Sequence, residues 1–220
     1  MVGRLRRRGY PTPAWRVSGV TEQGLSYVVQ ELVDGEAGSW SSIPLTEVLA
    51  AIELQAGLGQ PASETWSTYI EWVLSSDSGP LGYLPTMGRQ GPGHRRPFSA
   101  RAGSLQGLPT SRWRPGAWRP QHGESPGSRW AVAAIVDIEP IGPGTRVVDY
   151  ALLLREAYSV LAPAADKDLI QRAGQGIAGR GVLAKCAAAT ALDIVAFEHR
   201  RGEIGNTDLI DCMHQLAGDL

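Results

Sequence analysis

A chain of 220 residues, 43% of them apolar, carries enough hydrophobic material for one large domain or for one domain with an appendage. Its formal net charge of -1 argues against a general nucleic-acid role, which needs an excess of basic surface. No apolar run approaches the roughly 20 residues that span a bilayer, and the basic start MVGRLRRRGYPTP lacks the apolar stretch of a secretory signal.

Residues 1–78 read as folded protein. Two β runs, Trp15 to Val20 and Leu25 to Val33, flank Thr21-Glu22-Gln23-Gly24, which is a hairpin signal. Leu45, Val48, Leu49, Ile52 and Ala56 recur with a helical period that ends at Gly57 and Gly59. Ser63 to Ser75 forms a second amphipathic stretch, with Trp66, Tyr69, Ile70 and Val73 on one side. Further helical patterns cover about 147–162, 166–178, 180–199 and 206–217, the last opened by Asn206 and Asp208. Asp193, Glu198, His199 and Arg200 read as a solvated face or a helix end. Cys186 and Cys212 lack metal-ligand spacing and suit a reducing cytoplasm better than a disulfide framework, so a cytoplasmic protein is expected.

Chemistry concentrates in residues 132–154, VAAIVDIEPIGPGTRVVDYALLL. Val132 to Val136 read as a short buried strand that ends in Asp137 and Glu139. Pro140, Gly142, Pro143 and Gly144 then bar regular structure, and Asp149 opens a helix with Val148, Tyr150, Leu152, Leu153 and Leu154 on its apolar side. Carboxylates at a strand end backed by a rigid loop suit a hard cation such as Mg2+. The bland alternative is that Asp137 caps a turn and Asp149 caps the helix.

This segment resembles the metal-binding strand of the aminoglycoside phosphotransferase family, a branch of the protein-kinase-like fold. Ile135-Val136-Asp137-Ile138-Glu139, then Gly142 and Gly144, then Asp149-Tyr150-Ala151, match the family's order of strand, Asp, loop and second Asp. The resemblance implies that Asp137, with Glu139, holds the Mg2+ that bridges the phosphates of ATP. It implies that Asp149 braces the catalytic loop by hydrogen bonds. Residues 9–36 resemble the end of the family's N-terminal lobe, where Gln30, Glu31, Leu32 and Val33 would form the hinge that binds adenine through backbone groups. An ordinary edge hairpin explains the same residues. The Gly-rich nucleotide loop and the strand lysine of the family are missing, and the chain starts after them.

The zone from about 79 to 131 differs in composition. From Met87 to Trp130 there is no Ile or Val; eight arginines and two histidines stand against one acid, Glu124. Such a stretch buries too little apolar surface to offset its chain entropy, so disorder is expected. The family's catalytic loop, His-Gly-Asp-x-x-x-x-Asn, should precede Asp137 here, and the translated frame does not contain it. Codons permitted for Ala117 onward, read one nucleotide later, can spell His-Gly-Asp-Leu-Asn-Thr-Gly-Asn, with the Gly forced by Trp118 followed by a CGN arginine. Residues from about 80 to 130 are therefore read as disordered or frame-shifted. His122 and Glu124 are weak candidates for a replacement base and ligand, because no positioned backbone carries them.

The expected fold is α+β and protein-kinase-like, a partial N-lobe β hairpin plus a mostly helical C-lobe. The expected organisation is residues 1–36 as remnant of the N-lobe and hinge and 37–78 as the first C-lobe helices. The segment 79–131 is the disordered or frame-shifted one, and 132–220 carries the metal strand and helices. The resemblance implies ATP- and Mg2+-dependent phosphoryl transfer to a hydroxyl of an aminoglycoside-like small molecule, with no membrane partner. No residue in the translated frame is assigned as the catalytic base, so the chain is expected to be inactive. The alternative is a non-enzymatic helical binding or scaffold protein.

Overall fold

The structure, a computed structural model, describes residues 2–33, 36–37, 40–42, 44–58, 65–75, 80, 117–120, 130–135, 144–201 and 207–220. It divides into two compact units, Met1–Pro61 with Ser111–Arg146 and Ala62–Thr110 with Val147–Leu220.

In the first unit, α1 (Val2–Arg7) turns Val2 and Leu5 into a core with Tyr10, Ala51, Leu58 and Ile135. Arg8, just past the helix, donates to the carbonyls of Leu54 and Ala56 and ties the N-terminus to the end of α2 (Leu45–Glu53). The predicted hairpin is present as β1 (Trp15–Val20) and β2 (Ser26–Gln30), paired antiparallel. Its turn closes through the Thr21 amide on the Leu25 carbonyl (2.8 Å), and Gly24 adopts φ +80°, a conformation other residues reach only with strain. The ladder slips between Trp15 and Val17, a bulge at Arg16. β2 stops at Gln30, three residues short of the expected Val33.

Helix α2 buries Leu45, Val48 and Ile52 of the period read from the sequence, and Ala51 in addition, while Leu49 and Ala56 are only half-buried. The unit also holds a three-stranded antiparallel sheet, in the order β3 (Glu36–Ala37), β4 (Ala117–Pro120), β5 (Trp130–Ala134). The expected buried strand is thus found, starting at Trp130 rather than Val132, with Ala134 and Ile135 buried. Two long-range bonds hold it: the Val132 amide donates to the Glu47 carboxylate (3.1 Å), and the Ile135 amide donates to the Pro11 carbonyl (2.5 Å). β4 lies inside the zone read as unable to fold. Composition counts apolar burial, whereas β4 is held by backbone pairing on both edges, which does not depend on apolar side chains and in which the terminal Pro120 can still accept through its carbonyl. The remaining residues of that zone, including His122 and Glu124, lie outside the described ones.

In the second unit, α3 (Trp66–Val73) opens with a reciprocal cap between Thr65 and Thr68: the Thr68 amide donates to Thr65 Oγ1 (3.2 Å) and the Thr65 amide to Thr68 Oγ1 (2.9 Å). Among the described residues four helices follow: α4 (Val147–Ser159), α5 (Ala164–Ala178), α6 (Arg180–Arg201) and α7 (Thr207–Asp219). Each agrees with its sequence pattern to within a few residues. α4 is the hub, packed against α5, α6 and α7 and buried around nearly its whole circumference. A helix apolar on all sides belongs in a core. The architecture is α+β, an antiparallel hairpin and a small sheet with mostly helical remainder. Among the described residues, no helix is long and apolar enough to cross a membrane.

Candidate functional site

Asp149 is the third residue of α4, in the turn where backbone amides lack helical partners and favour a carboxylate. Its neighbours Val147, Val148 and Tyr150 are all buried. Burial pushes its carboxyl up to about 7, against a smaller downward pull from a hydrogen bond with its own backbone. A carboxyl that titrates near neutrality can hold or release a proton where an ordinary aspartate cannot. That hydrogen bond runs within Asp149 itself, at the third helical position rather than at the cap position before the helix; the catalytic loop that Asp149 is expected to brace lies outside the described residues.

Gln30, Glu31 and Val33, the residues expected to form a hinge, sit at the base of the hairpin. The Glu31 amide donates to the Ala14 carbonyl (2.9 Å), and the Glu31 carboxylate accepts from the Ala14 amide (3.1 Å) and from the Arg16 guanidinium, with Arg6 at 3.8 Å. Glu31 is thus committed, by backbone and side chain, to closing the β1–β2 ribbon. Gln30 pairs with Trp15 across the ribbon. Val33 is partly covered and Leu32 almost wholly exposed. Gln30, Glu31 and Val33 belong to the first unit and Asp149 to the second.

Asp137 and Glu139, the residues assigned to Mg2+, lie outside the described residues. Among the described residues there is no group of three or more His, Cys, Asp or Glu placed to hold a metal ion. The strand before them is held at two points: the Val132 amide of β5 bonds Glu47, and the Ile135 amide bonds Pro11.

Sequence reasoning passed over two polar features of the second unit. Arg155, 4% exposed, points Nη1 at the Thr190 carbonyl (3.5 Å) across the helical core, while Thr190 Oγ1 donates to the Ala187 carbonyl (3.0 Å). The Tyr158 hydroxyl donates to the Asp219 carboxylate (2.5 Å), and the Lys167 ammonium lies 4.3 Å from the Tyr158 ring centre. Burial, then the Asp219 hydrogen bond, raises the Tyr158 hydroxyl well above the usual phenol range. No spacing in the sequence signals these contacts, because each joins helices far apart in the chain. Burial likewise raises the Cys186 thiol, which makes it a packing residue rather than a nucleophile.

Set against known proteins, the chain matches no family model, no curated protein and no solved structure.

Proposed function

We propose that the chain derives from an aminoglycoside phosphotransferase of protein-kinase-like fold, whose ancestral reaction is ATP- and Mg2+-dependent phosphoryl transfer to a hydroxyl of a small molecule, and that it does not catalyse this reaction as translated. The observation that carries the reading is the order of strand, acid and helix: β5, then Asp137-Ile138-Glu139 and a Gly/Pro loop, then α4 with Asp149 in its first turn. Bound Mg2+ would neutralise phosphate charge at Asp137 and Glu139. This chain's own contributions are the Leu32–Val33 backbone for a base and the near-neutral Asp149 carboxyl. The translated frame supplies no His-Gly-Asp base and no partner Asn, groups that together account for several orders of magnitude in rate.

The deciding experiment is the nucleotide sequence across codons 75–135. A +1 reading that encodes His-Gly-Asp at codons 117–119 supports the family; stop codons in that frame, or no such triplet, defeat it.

The second reading, a helical binding or scaffold protein, is favoured by the way α4 is enclosed by three helices. Thermal unfolding with and without ATP and Mg2+ separates the two. A working nucleotide site raises Tm only when both are present, and a scaffold shows no shift.

A further inference from the structure

The β1–β2 ribbon carries an open edge and an uncovered apolar face. The Thr21 amide bonds the Leu25 carbonyl (2.8 Å) at the turn, and the Glu31 amide bonds the Ala14 carbonyl (2.9 Å) at the base. Backbone direction alternates along a strand, so Tyr27 and Val29 turn their amides and carbonyls toward β1, while Ser26, Val28 and Gln30 turn theirs away. Among the described residues no third strand meets them, since this sheet has only two. Side chains alternate by face: Leu25, Tyr27 and Val29 share one face with Val17, and these four are 67%, 42%, 50% and 53% exposed. An apolar face beside an unpaired edge is unusual in a protein at rest.

The two edges are not equivalent. β1 carries a bulge and the charged Arg16, both of which discourage another strand. β2, Ser26-Tyr27-Val28-Val29-Gln30, has no charge, proline or bulge. Its pattern is also symmetric about Val28, polar at both ends and apolar between.

We propose that β2 is a self-association edge, which pairs antiparallel with β2 of a second copy about a two-fold axis at Val28. In that register Val28 faces Val28, Ser26 faces Gln30 and Tyr27 faces Val29 of the second copy. The outward amides and carbonyls of Ser26, Val28 and Gln30 are the ones this register bonds. Tyr27 and Val29 fall at the close, non-bonded positions where an aromatic and a β-branched side chain pack best. Neither ionised groups nor polar groups face apolar ones across the seam. The result is a four-stranded sheet with β1 outermost on both sides, and the guarded β1 edges stop growth at two copies. A five-residue strand pair covers less than the roughly 800 Å² per partner of a standard stable interface, so the dimer is weak and concentration-dependent.

Sedimentation velocity on the full chain, from about 2 to 200 µM, tests this. A monomer–dimer equilibrium is expected, with amide exchange slowing at Ser26, Val28 and Gln30 as concentration rises. Val28→Pro removes an outward amide that the β1–β2 ribbon does not use, and should raise the dimer dissociation constant at least about tenfold while the Thr21–Leu25 turn stays protected. Val29→Lys, which sets a charge against Tyr27 of the second copy, should do the same without a proline. A monomer throughout the range, open-ended oligomers, or a dimer indifferent to both substitutions would overturn the proposal.

Discussion

Gly174 in α5 faces Tyr150 in α4 so closely that a β-carbon on it would lie 3.1 Å from the Tyr150 Cβ, and 3.0 Å from Leu183 Cδ1 of α6. Three helices converge on a position where a methyl would fit only if its neighbours gave way by a few tenths of an ångström. Tyr150 Cβ is fixed to the α4 backbone and cannot swing aside. Gly174→Ala should therefore destabilise the second unit by about 1 kcal/mol, the overpacking cost exceeding the helix-propensity gain of alanine. Gly176, two residues on in the same helix, has open space around it: a β-carbon there would meet nothing within 4 Å. Gly176→Ala should stabilise by up to about 1 kcal/mol. Urea unfolding of the pair checks the sign; equal effects would mean that α5 does not approach α4 at Gly174.

The Asp149 carboxyl fixes a pH dependence. Its folded value, about 7, lies above the ordinary 3.8, so the folded state binds the proton more tightly than the unfolded chain. Below 3.8 both states are protonated and the group is neutral to stability. Between the two values the unfolded state ionises first and stability falls with rising pH, by at most about 4 kcal/mol, and above 7 the penalty is constant. Asp149→Asn should flatten this slope and raise stability at pH 8 relative to the parent. Denaturation midpoints measured from pH 4 to 8 decide it, and an unchanged slope in the variant would assign the dependence elsewhere.

At the hairpin base, Glu31→Ala removes the acceptor for the Ala14 amide and the Arg16 guanidinium together. The expected cost is about 1–2 kcal/mol of local stability, read as faster amide exchange in β1 and β2. Exchange unaltered by the substitution would show that the backbone pairing alone closes the ribbon.

The helices of the second unit were legible because each carries its own period of apolar residues; α5 to α7 begin and end close to their sequence patterns. The hairpin was legible from its Gly24 turn. What local pattern cannot carry is partnership. The near-complete burial of α4, the buried Arg155 and the Tyr158–Asp219 bond depend on which helices meet. β4 escaped for the same reason, since Ala117–Pro120 has no apolar alternation and is ordered by the strands beside it. Of the candidate residues, Asp149, Gln30, Glu31 and Val33 are among the described ones, Glu31 bracing the ribbon, while Asp137 and Glu139 lie outside them.

Repair of the reading frame tests the proposed ancestry at the level of the protein. If codons of about 80–131 are moved by one nucleotide, the Arg, Pro, Gly and Trp excess should give way to apolar residues of helical period, with His-Gly-Asp at codons 117–119. The repaired chain should be more stable, because new apolar residues bury surface at roughly 25 cal/mol per Å². Folding should improve before activity does: phosphoryl transfer also needs the Gly-rich loop and lysine that cradle the phosphates, and residues 1–33 include neither. Repair therefore predicts a higher Tm and no turnover with ATP and aminoglycosides. Supplying an N-terminal lobe to the repaired chain should then yield turnover that Asp137→Ala abolishes. Turnover by the chain as translated, lost in Asp137→Ala, would show instead that residues outside the family's catalytic loop supply the base.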